Sequence, residues 1–180
     1  MVERGKTPKV NHRDYWEGGH INFLISGELN WNYLEDSHSK VTQKAVEECS
    51  LKIQPPGTVL LSTNTIVRAS ILSAFCAHST DSTAICVTQT PCVSEYLFYY
   101  FQLIFEGVKK TEQGSARHAI DKKKIRSLRI PFTSFAEQKE VVREIESRFA
   151  LVSSIEKLGS DFELLKKVAL KETFSLLEGS

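Results

Sequence analysis

Hydrophobic and polar positions change rhythm near residue 133. Before it, apolar residues come in short runs separated by turn formers. After it, they recur every three or four positions with no proline. The early runs are His20-Ile21-Asn22-Phe23-Leu24-Ile25, Thr58-Val59-Leu60-Leu61-Ser62 after a Pro55-Pro56-Gly57 turn, Ala69 to Phe75, and Ala84-Ile85-Cys86-Val87. They are rich in β-branched or bulky residues and bounded by Gly, Pro, Asn, Asp or Ser, which predicts strands. One helix interrupts them, with Ser94 as N-cap, an almost wholly apolar run from Glu95 to Phe105, and Gly107 as stop. A helix apolar nearly all round predicts burial against a sheet. The first part therefore reads as an α+β domain, residues 1–133.

Residues 134–180 read as one long helix. Ser134-Phe135-Ala136-Glu137 has capping-box spacing: the Ser134 hydroxyl can accept from the Glu137 N–H while the Glu137 carboxylate accepts from that of Ser134. Apolar residues then fall at Val142, Ile145, Phe149, Val152, Ile155, Leu158, Phe162 and Leu165, in steps of 3, 4, 3, 3, 3, 4 and 3. That is nearly a heptad seam, with one stammer between Val152 and Leu158. Glu144, Glu146, Arg148, Glu156, Lys157, Glu163, Lys166 and Lys167 lie off it. At 1.5 Å per residue the helix forms a rod on the order of 60 Å, with Gly159 as a point of weakness. So long a stripe predicts contact with another helix. A terminal helix folded back on its own domain is the alternative.

Composition narrows the class. At 180 residues, 41% hydrophobic and 25% charged, the chain has the size and make-up of one globular domain with an appendage, not of a disordered protein. No apolar window spans a bilayer and Met1 to Lys6 has no apolar core of a signal peptide, so the expected setting is cytoplasmic, without membrane. Cys49, Cys76, Cys86 and Cys92 then read as reduced core thiols.

Catalytic signatures fail in turn. Gly5-Lys6-Thr7 lacks the upstream glycine of a phosphate-binding loop and reads as a polar turn before Pro8. The cysteines and the five histidines lack zinc-site spacing. A nuclease-like set of Asp121, Glu137 and Lys139 would place Glu137 and Lys139 in the first turns of a helix, where strand-borne metal ligands are not found. The chain is expected to be non-catalytic, with no metal and no cofactor.

Charge is small in sum and unevenly distributed. The net charge is +1, yet residues 109–129 carry +6, residues 4–13 carry +4, and residues 28–48 carry −3. Segregated basic segments are the footprint of nucleic-acid binding; a solvated lysine-rich loop is the alternative. Gly114-Ser115-Ala116-Arg117-His118 is a small-residue loop bearing a guanidinium and an imidazole, groups able to read base edges. Asp121 can cap a short helix over Lys122, Lys123, Lys124 and Ile125, whose ammonium groups suit phosphates.

Several stretches in order carry a family resemblance. Arg4-Gly5-Lys6-Thr7-Pro8, Tyr15-Trp16-Glu17-Gly18 and Ile21-Asn22-Phe23-Leu24 open the series. Pro55 to Ser62, Tyr96 to Tyr100, Gly114-Ser115 with Ile120, and Leu128-Arg129-Ile130-Pro131 before Glu137-Gln138-Lys139 complete it. The series resembles a target recognition domain of the DNA-specificity subunit of type I restriction–modification systems. Two departures stand out: Asn64-Thr65-Ile66-Val67-Arg68 replaces a usual Ala-Thr-Ile-Gly-Arg, and Ser79-Thr80-Asp81-Ser82 stands where Thr-Asn-Gln is common. The short strand that usually precedes Arg4-Gly5 is expected to be missing, as in an abbreviated subunit or a piece of one.

The resemblance implies a mixed, strongly twisted sheet with packed helices, followed by a coiled-coil-type spacer helix. It implies a non-catalytic reader of one half of a split double-stranded DNA target, about half a subunit in extent, that docks modification (methyltransferase) subunits and through them restriction subunits. Candidate DNA contacts are Lys6, Lys9, Asn64, Arg68, Ser115, Arg117, His118, Lys122, Lys123 and Lys124. The candidate helix interface runs from Val142 to Leu165, joining a homodimer or a second half-subunit. Tyr15 and Trp16 read as core anchors rather than base readers. The rival is an interaction module that docks modification subunits without reading DNA; a stand-alone nuclease is a more distant alternative.

Overall fold

The computed structural model describes residues 2–63, 67–87, 92–108 and 122–178; the side chains of residues 106–108, 122–124 and 169–178 are not part of that description. Two compact units divide the chain, residues 1–139 and 140–180.

The first unit is built on two sheets. Strands β1 (Val2–Arg4), β3 (Asn32–Leu34), β5 (Val59–Ser62), β6 (Ala69–Leu72) and β8 (Ser82–Ile85) form a five-stranded sheet in the order β1-β8-β5-β6-β3. All pairings in it are antiparallel except β3 with β6. Strands β2 (Ile21–Leu24), β4 (Ser39–Val41) and β7 (Cys76–His78) form a smaller sheet with β2 central, antiparallel to β4 and parallel to β7. Helices α1 (Gln43–Glu48), α2 (Ser94–Val108) and α3 (Lys122–Ser127) surround them.

Alternation along the central strands explains the layers. Val59 and Leu61 of β5, Ala69 and Ile71 of β6 and Ile85 of β8 face one core, closed by Leu97, Phe98 and Phe101 of α2 and Ile125 of α3. Leu60, Leu72 and Ala84 face the other way, into a core shared with Leu24 of β2 and Cys76 of β7. Phe23 and Ala77, from the far side of the small sheet, pack with Val41 and with Ala45 of α1. With both faces covered, every residue of β5, β6 and β8 is buried.

Several expectations hold locally. The capping box at the start of α4 (Phe135–Glu178) forms: the Ser134 N–H donates to Glu137 Oε2 at 3.0 Å and the Glu137 N–H donates to Ser134 Oγ at 3.3 Å. Glu137 is thereby a capping residue, with its carboxyl held down at about 2 by hydrogen bonds from Thr133 and Ser134. Trp16 packs edge-on against Phe23, 5.3 Å between centroids, and its Nε1–H donates to the Lys9 carbonyl at 3.1 Å. Tyr15 donates its hydroxyl to Glu48 at 2.8 Å, which raises its pKa to about 12. Both rings anchor the domain.

Others are corrected. A strand does precede Gly5: β1 pairs Val2, Glu3 and Arg4 with Ile85, Ala84 and Thr83. The run Ala69 to Phe75 is not one strand. Strand β6 stops at Leu72, the chain bends, Phe75 is 63% exposed, and β7 continues in the other sheet. Strand β8 begins at Ser82, two residues before the expected start, because the polar Ser82 and Thr83 are buried opposite Ser62 and Leu61. The Ser94 hydroxyl donates to the Gly57 carbonyl at 2.6 Å, tying α2 to the turn before β5. Leu103 is 72% exposed, so α2 is not covered on every side. All four cysteines are free thiols, but of these only Cys76 is buried.

In the second unit, Gly159 does not interrupt α4. Val142 is buried and Ile145 half-buried, while Phe149, Val152, Ile155, Leu158, Phe162 and Leu165 are each more than half exposed. Helical geometry splits the expected seam at its stammer. At 100° per residue, Val142, Ile145, Phe149 and Val152 share one stripe, and Ile155, Leu158, Phe162 and Leu165 share another about 140° away. Exposed Leu151 joins the second stripe, which then runs in regular steps of 4, 3, 4 and 3.

The tightest point is Gly5. A Cβ there would lie 2.1 Å from the Ser79 carbonyl oxygen and 2.2 Å from that of His78. Gly5→Ala should therefore destabilise the chain by about 2–4 kcal/mol, read as a lowered urea midpoint; an unchanged midpoint would show that the contact yields.

Candidate nucleic-acid interface

One end of the five-stranded sheet carries basic residues next to two of its strands, Arg4 and Lys6 at β1 and Arg68 at β6. There β1 ends at Arg4, β8 begins at Ser82, β5 ends at Ser62 and β6 begins at Ala69, as the pairings Arg4–Thr83, Ser62–Ser82 and Leu61–Ala69 require. Lys6 follows two residues after β1, with Lys9 three residues further on, and Arg68 precedes β6. Three strand steps of about 4.8 Å separate β1 from β6, so these two strand ends lie about 14 Å apart.

The N-terminal segment lies across the turn between β7 and β8. Gly5 N–H donates to the Ser82 carbonyl at 3.2 Å and Lys6 N–H to that of His78 at 3.1 Å. Arg4 Nε donates to the Thr80 carbonyl at 2.7 Å, and the Thr80 N–H donates to Thr7 Oγ1 at 3.0 Å. Lys6 and Lys9 are exposed; the Lys6 N–H is held by the His78 carbonyl, and the Lys9 carbonyl accepts from the His12 N–H and from Trp16 Nε1–H. Arg68 is half-buried; its N–H donates to Ser62 Oγ at 2.8 Å and its carbonyl accepts from the Ser62 N–H at 2.8 Å. Arg13, part of the basic opening segment, is paired with Glu17 at 2.5 Å.

The turn itself is internal. Ser79 and Ser82 are buried; the Ser79 hydroxyl bonds Asp81, the Ser82 hydroxyl donates to the Ser79 carbonyl at 2.9 Å, and Ser26 donates to Asp81 at 2.7 Å. Only Thr80 in this turn is exposed. Since the Ser82 proton is committed to Ser79, His78 Nδ1, 2.9 Å from Ser82 Oγ, carries the donor hydrogen. Burial drives the His78 pKa down from 6.5 to about 4 against a smaller opposing pull from Glu3, keeping the ring neutral.

Helix α3 packs against β1, so Lys122, Lys123 and Lys124 belong to an element on the same edge strand. Arg126 and Arg129, absent from the sequence-derived candidates, are exposed. The segment after α3 is clipped to α2 by Tyr100, donating to the Arg129 carbonyl, and Tyr96, donating to that of Pro131, both at 2.8 Å. Asn64, Ser115, Arg117 and His118 lie outside the described residues, as does the cap expected from Asp121. Arg4, counted in the basic opening segment, is not among the candidate contacts, and Lys52 is not singled out at all. Arg4 is legible as a basic residue beside Gly5, but nothing in the sequence links Lys52 to Glu3, with which it forms an ion pair across the sheet edge.

Comparison with known proteins places this arrangement. Residues 1–161 match the family described as type I restriction modification DNA specificity domain. The chain belongs to that family. This specificity-domain chain is 29% identical over 175 residues to the type I restriction enzyme MjaIX specificity subunit of Methanocaldococcus jannaschii, covering 94% of the chain and 40% of that protein. It is 26% identical over 176 residues to the EcoR124I/EcoR124II specificity subunit of Escherichia coli, covering 91% of the chain and 42% of that protein. It thus spans about two-fifths of the relatives it matches.

Solved structures agree on the fold. The HsdS subunit of Thermoanaerobacter tengcongensis superposes with a TM-score of 0.67 at 18% identity, over 87% of this chain and 36% of that one. A chain from a structure describing complex assembly and conformational transition of the type I R-M system gives a TM-score of 0.70 at 19% identity, over 90% and 39%. The mixed α+β architecture with its long C-terminal helix is therefore that of a specificity domain. Among the described residues, no helix is long and apolar enough to cross a membrane.

Neutral burial of His78 has a measurable consequence. Its folded pKa of about 4 lies below the ordinary 6.5, so the unfolded chain takes up a proton first as pH falls. The stability tied to the neutral ring is complete above pH 6.5 and is lost progressively as pH falls toward 4. Urea unfolding between these limits should show the decline, and the His78 ring should titrate near 4 by NMR; titration near 6.5 would contradict its burial.

Proposed function

We propose that this chain is a DNA-recognition component of a type I restriction–modification specificity subunit. Residues 1–133 act as a target recognition domain that reads one part of a split double-stranded target, and residues 134–180 act as a spacer and dimerisation helix. The observation that carries this is the placement of Lys6 and Arg68 at one sheet end, with Lys9 on the same exposed opening segment and α3 packed on the edge strand β1. Family membership and the specificity-subunit relatives support it. In this reading the lysines set position on the phosphates, while Arg117 and His118 read bases. The chain docks modification subunits, and through them restriction subunits, in the cytoplasm. It contributes neither catalysis nor a cofactor of its own.

The regular second stripe of α4 supports association with another helix. In a two-fold antiparallel dimer each protomer carries the same reader, so the matching target is a split palindrome. Light scattering of the 180-residue chain should give a mass about twice 20.3 kDa, falling to the monomer value on Leu158→Asp with Phe162→Asp. A monomeric wild type would remove the self-pairing arm and direct the search to a second, different subunit.

The DNA-reading arm has its own test. Fluorescence anisotropy with duplexes of varied sequence should show that reversing Lys122, Lys123 and Lys124 to Glu weakens binding to all of them and lowers the salt slope by up to about three. Arg117→Ala should instead relax base preference. Binding unaffected by either change would take the basic segment out of the interface.

A second reading has one observation in its favour. Ser79, Asp81 and Ser82 bond one another and Ser26, as in a turn that has exchanged target contacts for internal ones. On that reading the chain is an interaction module docking modification subunits without reading DNA, and the wild type would show no duplex affinity at low salt.

A further inference from the structure

A cavity of about 320 Å³ opens beside β1, lined by Glu3, Arg4, Gly5, Lys6, Ser50, Lys52 and His78. Its lining carries three cations and one carboxylate, a local charge of +2 in a chain whose total is +1. The carboxylate is already committed: Glu3 pairs with Lys52, and Gln54 Nε2 donates to it at 3.3 Å.

Donors remain available. Arg4 spends Nε on the Thr80 carbonyl, and its two terminal nitrogens have no partner among the described residues. Lys6 is exposed, and its ammonium group likewise has none. Ser50, at the C-terminal end of α1, adopts a left-handed φ of 51°, a conformation that suits glycine; a serine there places a hydroxyl-bearing residue in the lining. The floor is His78, 2% exposed, with Nδ1 turned to Ser82. It closes the cavity without adding charge. Gly5 admits the close approach of this segment to the His78 and Ser79 carbonyls, so Arg4 and Lys6 are presented from a rigid backbone rather than from a loop tip.

An arginine whose terminal nitrogens are free, a lysine and a serine line one concavity, and together they form the donor set for a tetrahedral oxyanion. We propose that this cavity is a seat for a phosphate group. Its assignment to a backbone phosphate of duplex DNA rests on the proposed DNA-reading role; a free phosphate or phosphate monoester would use the same donors. Bound there, a duplex phosphate would register the DNA against β1, the edge strand that α3 also packs on.

Two measurements on the full chain separate these sources. Titrating inorganic phosphate into the ¹⁵N-labelled protein should shift the Gly5, Lys6 and His78 amide signals to saturation, and the shifts should vanish in Arg4→Gln/Lys6→Gln. Lys6→Gln alone, at an exposed side chain that makes no contact, keeps the comparison valid if the double variant folds poorly. In duplex binding, the double variant should lose about tenfold in affinity for every sequence, with a salt slope lower by one to two. Loss of both responses establishes a duplex phosphate seat. Loss of the phosphate shifts with an unchanged slope establishes a seat for a free phosphate. No saturating shift in the wild type together with an unchanged slope overturns the proposal. If the wild type binds no duplex at all, the DNA-reading role fails, and the phosphate titration alone decides the seat.

Discussion

The domain turns on a backbone-to-backbone contact: the Arg4–Thr7 segment lying across the turn that joins β7 to β8. Strand β7 belongs to the small sheet, β8 to the large one, and β1 is the edge of the large one. The segment therefore ties both sheets at the corner where they meet. Hydrogen bonds from Gly5 and Lys6 to the Ser82 and His78 carbonyls hold it, and the approach is possible only because Gly5 has no side chain. The same bonds fix where Lys6 leaves the fold. A stability constraint and a placement constraint thus fall on the same four residues.

Burial around this corner is unusually polar. Ser62, His78, Ser79 and Ser82 are buried and hydrogen-bonded, whereas the hydroxyl of buried Thr83 has no partner. Such networks are costly when incomplete and rigid when complete. Rigidity would suit the proposed role, in which charges are set against phosphates. The cost is visible in His78, whose neutral state ties the corner to pH.

The second unit obeys a different rule. Its helix starts from a fully local capping box, and its exposed apolar residues follow helical period, not burial in a domain. Splitting the stripe at the stammer gives two faces about 140° apart. One includes buried Val142; the other is exposed and regular from Leu151 to Leu165. This regular exposed stripe is the face that the proposed helix pairing would cover.

By itself the sequence determined the features governed by short-range chemistry: the strands at β2, β5 and β6, the apolar helix α2, the capped start of α4, the anchoring of Tyr15 and Trp16, and the family. Periodicity, turn formers and capping residues act within a few positions, so they are legible in one dimension. Strands β1, β3 and β4 were not, being three-residue edge strands of mixed polarity. Strand β7 was hidden because it continues β6's apolar run into another sheet, and the start of β8 because its serine and threonine are buried by long-range pairing. Only the tertiary structure decided which cations lie at the same end of the sheet. Lys6, Arg68 and α3 are brought together by strand order, and Lys52 reaches Glu3 across 49 positions, a contact that long-range packing creates and no local pattern records.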